Sequence, residues 1–353
     1  MFRIRAVLAV ASLFLFIALP EILRAGVVNP DISVIGQILY KYHDDKSAQD
    51  HGTPTLDLGE TELVFDSYLN PYAKGTFVFT VGSDGLGTEE AYMDVVKGLP
   101  DGFAARGGKY RLGFGKLNPV HPHAYSFIDP PRVMAAMLPG EDGFTEVGTR
   151  ASWFLPTSGS WASDITADII KGESFHPDET ASRAGWVARW NNSMLLGDTT
   201  PLDMGVSATQ GANNVQWGTR TKVYGADIKT KIPFSSLTNL TLQGEYFYNN
   251  STVVVDTTTG DTSHMGRQGF YAFVDLKFKQ RYNAGVIYDQ YNPVEDKDLT
   301  NRAVKGFLGC SLLEETTLLR LTYERFKPEN NPAVRTVMLQ VLFSMGPHKA
   351  HQF

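Results

Sequence analysis

Two histidine pairs offer the most distinct chemistry in this chain: His121-x-His123 and His348-x-x-His351, four of its eight histidines. Neutral imidazole is a good zinc ligand. Neither spacing is a specific ligand motif, so the expectation is no metal and no cofactor, with His121, His123, His348 and His351 as the only candidates to hold an ion. Acid–base pairs are equally unspecific. His176 lies near Asp178 and Glu179, and His264 follows Ser263, but almost any chain offers such neighbours. There is no Gly-x-Ser-x-Gly elbow and no phosphate loop. The residues do not point to an enzyme.

The charged residues are more informative because of where they sit. Glu60, Glu62, Asp66, Glu90, Asp94, Arg150, Asp164, Asp168, Lys229, Lys231, Asp275, Lys277 and Arg320 fall within short segments of alternating character. In one, Leu240, Leu242, Tyr246 and Tyr248 share a face opposite Thr241, Gln243 and Glu245. In the next, Phe270, Ala272, Val274, Leu276 and Phe278 oppose Asp275 and Lys277; later, Leu319, Leu321 and Tyr323 oppose Arg320, Thr322 and Glu324. Period-two alternation marks a strand with two different faces.

About sixteen such segments recur: 32–42, 57–68, 75–81, 89–96, 103–114, 146–154, 163–171, 182–190, 201–210, 219–231, 240–248, 269–279, 282–291, 302–313, 317–326 and 335–345. Their connectors alternate tight and long, as hairpins crossing a slab require. Two connectors depart from this rhythm: 191–200 is long for a turn, and 82–87 is short for an outer loop. The reading is all-β: a transmembrane antiparallel barrel of about 16 strands, within 14 to 18, with no plug domain. A lipid-facing Arg or Lys near the midplane costs about 2–4 kcal/mol, so the charged faces must line the lumen.

The rest of the chain agrees. Arg3 and Arg5 precede an apolar run from Ala6 to Leu19, which reads as a signal peptide over 1–25, leaving 26–353 as the barrel. With one cysteine, Cys310, no internal disulfide can form. A net charge of -6 supplies no basic footprint for nucleic acid. The terminal Phe353 is the kind of residue that barrel-assembly machinery reads. Outer-membrane lipid and lipopolysaccharide are the expected surroundings.

The stretch LPDGFAARGGKYRLGFGKLNPVHPHAYSFIDPP, with LGETELVFDSYLNPYAKG before it, resembles a family of proteobacterial outer-membrane proteins. The opening Asn29-Pro30-Asp31-Ile32-Ser33 and the ending SMGPHKAHQF fit as well. That family is often labelled zinc-regulated TonB-dependent outer-membrane receptor and is distantly similar to phosphate-selective porins O and P. The resemblance implies a porin-like barrel. TonB-dependent transporters close about 22 strands around a plug, whereas alternation here begins almost directly after the leader, so a passive pore is expected.

In porin-type barrels the third outer loop usually folds inward, and that position belongs to 116–143. Its Pro119, Pro122, Pro130 and Pro131 stiffen the path, and 133–138 suits one or two helical turns. His121, His123, Tyr125, Asp129 and Arg132 are the expected constriction residues, with Asp129 and Arg132 able to set a transverse field. The function expected is passive diffusion of small hydrophilic solutes or ions. A surface-binding or TonB-linked receptor barrel is the alternative, an enzyme a more distant one. The lumen charges are of mixed sign, unlike a basic ladder for phosphate, so strong anion selectivity is not expected; trimer and monomer both stay open.

Overall fold

In the computed structural model, residues 29–82, 85–140, 143–176, 183–294, 296–312 and 316–347 are described. The signal segment, Asp178, Glu179, His348, His351 and Phe353 lie outside them.

Alternation is converted into strands almost segment for segment. They are β1 (Asp31–His43), β2 (Thr55–Asp57), β3 (Thr61–Asn70), β4 (Ala73–Gly82), β5 (Gly85–Val95) and β6 (Phe103–Arg111). Then come β7 (Thr145–Phe154), β8 (Trp161–Ile170), β9 (Gly185–Leu196), β10 (Thr200–Asn214), β11 (Thr219–Ser235) and β12 (Thr238–Asp256). The last are β13 (Asp261–Phe278), β14 (Tyr282–Tyr291), β15 (Asn301–Leu312), β16 (Thr317–Lys327) and β17 (Val334–Met345). β2 and β3 both pair with β1 and form one interrupted stave. β1 pairs with β17 from Val34 opposite Met345 to His43 opposite Thr336. That ladder closes sixteen antiparallel staves into a barrel and leaves no edge for another chain to extend.

The burial of side chains is inverted relative to a soluble protein. On β16, Leu321 and Tyr323 are 41% and 47% exposed, while Arg320 and Glu324 are 2% and 1% exposed. The same holds on β13, where Phe270, Val274, Leu276 and Phe278 face out and Asp275 faces in. Such an outer surface is stable only against hydrocarbon, where a charge would be costly. Tyr68, Tyr72, Phe103, Phe154, Trp161, Phe234, Phe278 and Tyr282 are all exposed and flank the tight turns. They form an aromatic girdle at one membrane interface.

Three departures from the sequence reading have a local reason. The strand expected over 103–114 ends at Arg111, because Leu112 and Phe114 turn inward and become fully buried. The connector 191–200 is tight after all, since β9 runs on to Leu196 against β10. The expected loop 249–266 is instead a ladder. β12 and β13 stay paired as far as Asp256 opposite Asp261, carried by β-branched Thr252, Val253, Val254 and Val255. With β11, β12 and β13 at 17, 19 and 18 residues, this wall rises well beyond the roughly 9–11 residues a membrane crossing needs. The hairpin 82–85 remains short, with Gly82 opposite Gly85.

The tip of the long hairpin offers a test of orientation. Asp256 accepts the backbone N–H of Thr258 and Thr259, so the turn is held locally and tolerates insertion beside it. An epitope placed after Thr258 is expected to be labelled on intact cells. Labelling only after permeabilisation would reverse the assignment of long connectors to the outside.

Candidate functional site: a connector that crosses the lumen

The segment between β6 and β7 leaves the wall and runs through the barrel interior. Asn118, fully buried, ties its two ends together: its Nδ2 donates to Leu112 O (2.8 Å) and Phe144 O (3.1 Å), and its Oδ1 accepts Phe144 N–H (2.8 Å). Gly115 sits in a left-handed conformation with Glu245 against it, at a place where any Cβ would overlap the carboxylate. Glu245 Oε1 then accepts the N–H groups of Lys116 (3.0 Å) and Leu117 (2.8 Å).

Further along, the short 3-10 turn Pro122–Ala124 is followed by a helix, α1 (Arg132–Met137), close to the helical turns expected over 133–138. No side chain of its own caps α1. Instead Asp289 Oδ2 accepts Arg132 N–H (2.9 Å) at its start, while Arg267 donates to Ala136 O (2.9 Å) and Asn249 to Met137 O (2.9 Å) at its end. The wall thus supplies the partners that a buried helix terminus lacks. Val133, Met134 and Met137 are buried, and Val133 packs so close to Gly269 that a Cβ there would stand 2.5 Å away.

A hydrophobic core inside the barrel completes the seating. Leu112, Phe114, Leu117, Tyr125, Phe127 and Phe144 of the connector pack on Val223, Phe247, Phe273, Ile287 and Phe307 of the wall. Phe127 meets both Phe273 and Phe307 edge-on with ring centroids 5.5 Å apart. Sequence reasoning missed this core. Its signal was present, because Phe273 and Phe307 share the inward face with Asp275 and Lys305, where a purely aqueous lumen would not call for phenylalanine.

The expected constriction residues divide into two groups. Asp129 and Arg132 do not face one another across an opening. They belong to one chain of charges on the β15–β16 wall: Asp129 pairs with Lys305, Lys305 lies 3.4 Å from Glu324, and Glu324 grips Arg132 through Nε (2.9 Å) and Nη2 (2.6 Å). Lys305, fully buried, also donates to Pro130 O (2.9 Å). Arg320 donates to the carbonyls of His123 and Phe127 and to Gln340 Oε1. The His121 and His123 side chains turn instead toward the carboxylates of β3 and β5. His121 Nε2 is 3.0 Å from Glu90 Oε2, and His123 Nδ1 is 3.0 Å from Glu62 Oε1. Burial opposes the His121 imidazolium, but Glu90, Glu62 and Glu89 outweigh it and raise its pKa.

Two cavities lie beside the connector. One, of about 600 Å³, opens toward the tight turns; the other, of about 500 Å³, lies toward the long connectors and against β1 and β17. His123, Tyr125 and Leu342 line both. Of the expected lining residues, Lys229, Lys231, Asp275, Lys277 and Arg320 line the first cavity, and Glu60 and Glu62 the second. The others are engaged on the wall: Asp66 with Lys74 (2.7 Å) and Thr76, Arg150 with Asp168 (2.8 Å), Asp164 with Asn191, and Asp94 with Arg106. The Arg189–Asp227 fork (2.6 and 2.9 Å), Asp289, Lys305, Asn118 and the seating role of inward-facing Glu245 were not foreseen. His264 bonds Thr252 on the outer hairpin, and His176 is buried beside Phe175.

The wall charges make the connector's seating measurable. Lys305→Met leaves Asp129, Asp289 and Glu324 without their shared cation. Breaking a buried ionic group of this kind costs about 3 kcal/mol, on the order of a hundredfold in the opened population. Hydrogen exchange at the amides of residues 132–138 is expected to accelerate accordingly. Unchanged exchange in a folded variant would show that the apolar contacts alone hold the segment.

No family model matches the chain. A curated relative from Aquifex aeolicus, described as an uncharacterized protein, is 28% identical over 339 residues, covering 84% of this chain and 70% of its own. Among solved structures, the anion-selective porin from Comamonas acidovorans superposes with a TM-score of 0.59 at 10% identity, covering 90% of this chain and 100% of the porin. The outer-membrane channel DcaP of Acinetobacter baumannii gives 0.58 at 13% identity, over 91% and 99%. A trimer form of OmpT, an outer-membrane protein of Vibrio cholerae, gives 0.60 at 10% identity, over 90% and 99%. With its lipid-facing band, this chain therefore has the sixteen-stranded architecture of the outer-membrane porins.

Proposed function

We propose that the protein is an outer-membrane channel for passive diffusion of small hydrophilic solutes or ions, narrowed by the connector 116–143. The observation that carries this reading is the pair of cavities separated at His123, Tyr125 and Leu342. On this reading a path between them passes that point, beside the β1 and β17 wall. The similar barrels described as porins and channels support the same reading, and the trimer form of one of them makes a homotrimer part of it. No separate globular plug occurs among the described residues, so a TonB-linked receptor is not favoured.

The cavities differ in charge. Toward the tight turns, Lys116, Lys229, Lys231, Lys277, Arg281 and Arg320 stand against Asp203 and Asp275. Toward the long connectors, Glu60, Glu62, Glu89 and Asp129 stand against Lys41 and Arg111. The mixed signs noted in the sequence are thus sorted by depth, with an inner vestibule that favours anions. Low-dielectric walls concentrate such fields.

Tyr125→Ala is expected to raise single-channel conductance in planar bilayers by relieving the narrowest point. A correctly assembled variant with unaltered conductance would remove the connector as the constriction. An intact protein that never conducts would overturn the channel reading itself. The vestibule has its own test: the triple variant Lys229→Gln, Lys231→Gln and Lys277→Gln should move the reversal potential toward cation preference. That shift should fade near 1 M salt, where the screening length falls to about 3 Å.

A further inference from the structure

The geometry points to a binding site for a divalent transition-metal cation of the zinc type at the junction of the connector with β3 and β5, built from His121, His123 and Glu62, with Glu89 completing the set. One donor atom from each of His121, His123 and Glu62 falls within 4.8 Å of the other two. The closer separations are those a metal shell has. His121 Nδ1 stands 3.6 Å from Glu62 Oε2 and 3.4 Å from Glu89 Oε1. Two ligands at about 2.1 Å on a tetrahedral centre stand roughly 3.4 Å apart. The two imidazole rings lie side by side, 5.5 Å between centroids and 28° from parallel, so both can turn a nitrogen to one point.

Hydrogen bonding independently marks the same point. Glu90 Oε1 accepts the Arg111 N–H (2.7 Å), and its Oε2 faces His121 Nε2 at 3.0 Å. A carboxylate so placed accepts a hydrogen bond from Nε2–H, and in that neutral tautomer the Nδ1 lone pair faces Glu62 and Glu89. This is the outer partner that orients a ligating histidine and raises its basicity. Glu62 is nine-tenths buried, and its Oε2 and His121 Nδ1 are both buried without a hydrogen-bond partner. A lone pair facing two carboxylates is repulsive unless a positive charge, a proton on Nδ1 or a metal ion, lies between them. Glu62, Glu89 and Glu90 also outnumber the single guanidinium among them, Arg111, which meets Glu89 at 3.1 Å. The imbalance of two charges is that of a divalent ion. Two nitrogen donors select zinc, cobalt or nickel over magnesium or calcium. Glu62, Glu89 and His123 line the cavity toward the long connectors, which gives an ion its way in.

Calorimetric titration of the purified, folded barrel with Zn²⁺ tests the site. One equivalent is expected to bind, while Mg²⁺ at the same concentration does not, and Co²⁺ should give the visible absorption of a nitrogen–oxygen tetrahedral site. His121→Gln, His123→Gln and Glu62→Gln should each weaken binding at least tenfold, and Glu90→Gln by about 10–100-fold without abolishing it. The double variant His348→Ala, His351→Ala should bind as the parent does. Failure of the folded parent to take up zinc, leaving His121 simply protonated, would overturn the site. So would loss of binding in the C-terminal double variant with retention in His121→Gln. Calorimetry needs no conduction, so it stands or falls apart from the channel reading. Where the channel does conduct, zinc should lower the conductance of the parent but not of His121→Gln.

Discussion

A connector of nearly thirty residues can enter a barrel only if something replaces water at its amides and carbonyls. Here the wall does so with charged and amide side chains. Glu245 and Asp289 take its N–H groups, and Arg320, Lys305, Arg267 and Asn249 take its carbonyls. Much of the inward-facing charge on β12–β16 is therefore structural in origin, set where an irregular backbone passes. The inner phenylalanines follow from the same demand. Once the backbone is satisfied, connector side chains such as Phe127 have to meet apolar partners, and Phe273 and Phe307 provide them.

This arrangement separates two kinds of lumen charge that look alike along a strand. Lys305, Arg320, Glu245 and Glu324 are buried and spoken for by the connector or by each other. Lys229, Lys231 and Lys277 line open space. On the channel reading proposed above, the second kind faces the path of a solute, whereas the first kind holds the connector in place. A barrel whose lumen charges were all of the first kind would be a well-filled cylinder. One with all of the second would be a wide pore.

The fold was legible because hydrocarbon enforces a strict rule. Each lipid-facing position had to be apolar, so alternation such as that of Phe270 to Phe278 appears in the sequence as plainly as in the barrel, and all sixteen staves were found. The interior follows no such local rule. Arg132 meets Glu324, Asp129 meets Lys305 and Lys116 meets Glu245 across more than a hundred residues of chain. Nothing near Asp129 or Arg132 announces a partner that distant, which is why their opposite charges suggested a field across an opening rather than two ends of one ionic chain. The hairpin at 249–266 misled for another reason. Its Thr, Asp and Gly content reads as a loop, while its β-branched run keeps the ladder going.

The attachment of the connector is uneven. On the side of β11 to β16 it is held by its helix, its aromatic core and its ion pairs. Toward β3 and β5 it is held chiefly through His121, His123 and the neighbouring Arg111, against Glu62, Glu89 and Glu90. Toward β1 and β17 the space beyond it is lined by Gln37, Leu39, Lys41 and Met338, with His123 and Tyr125 at its edge. On the channel reading proposed above, a solute crossing the barrel would run along the β1–β17 seam, past the flank where the connector is least deeply packed. Whatever sits between the histidines and the carboxylates on that flank, a proton or a metal ion, bears directly on how firmly this end of the connector is held.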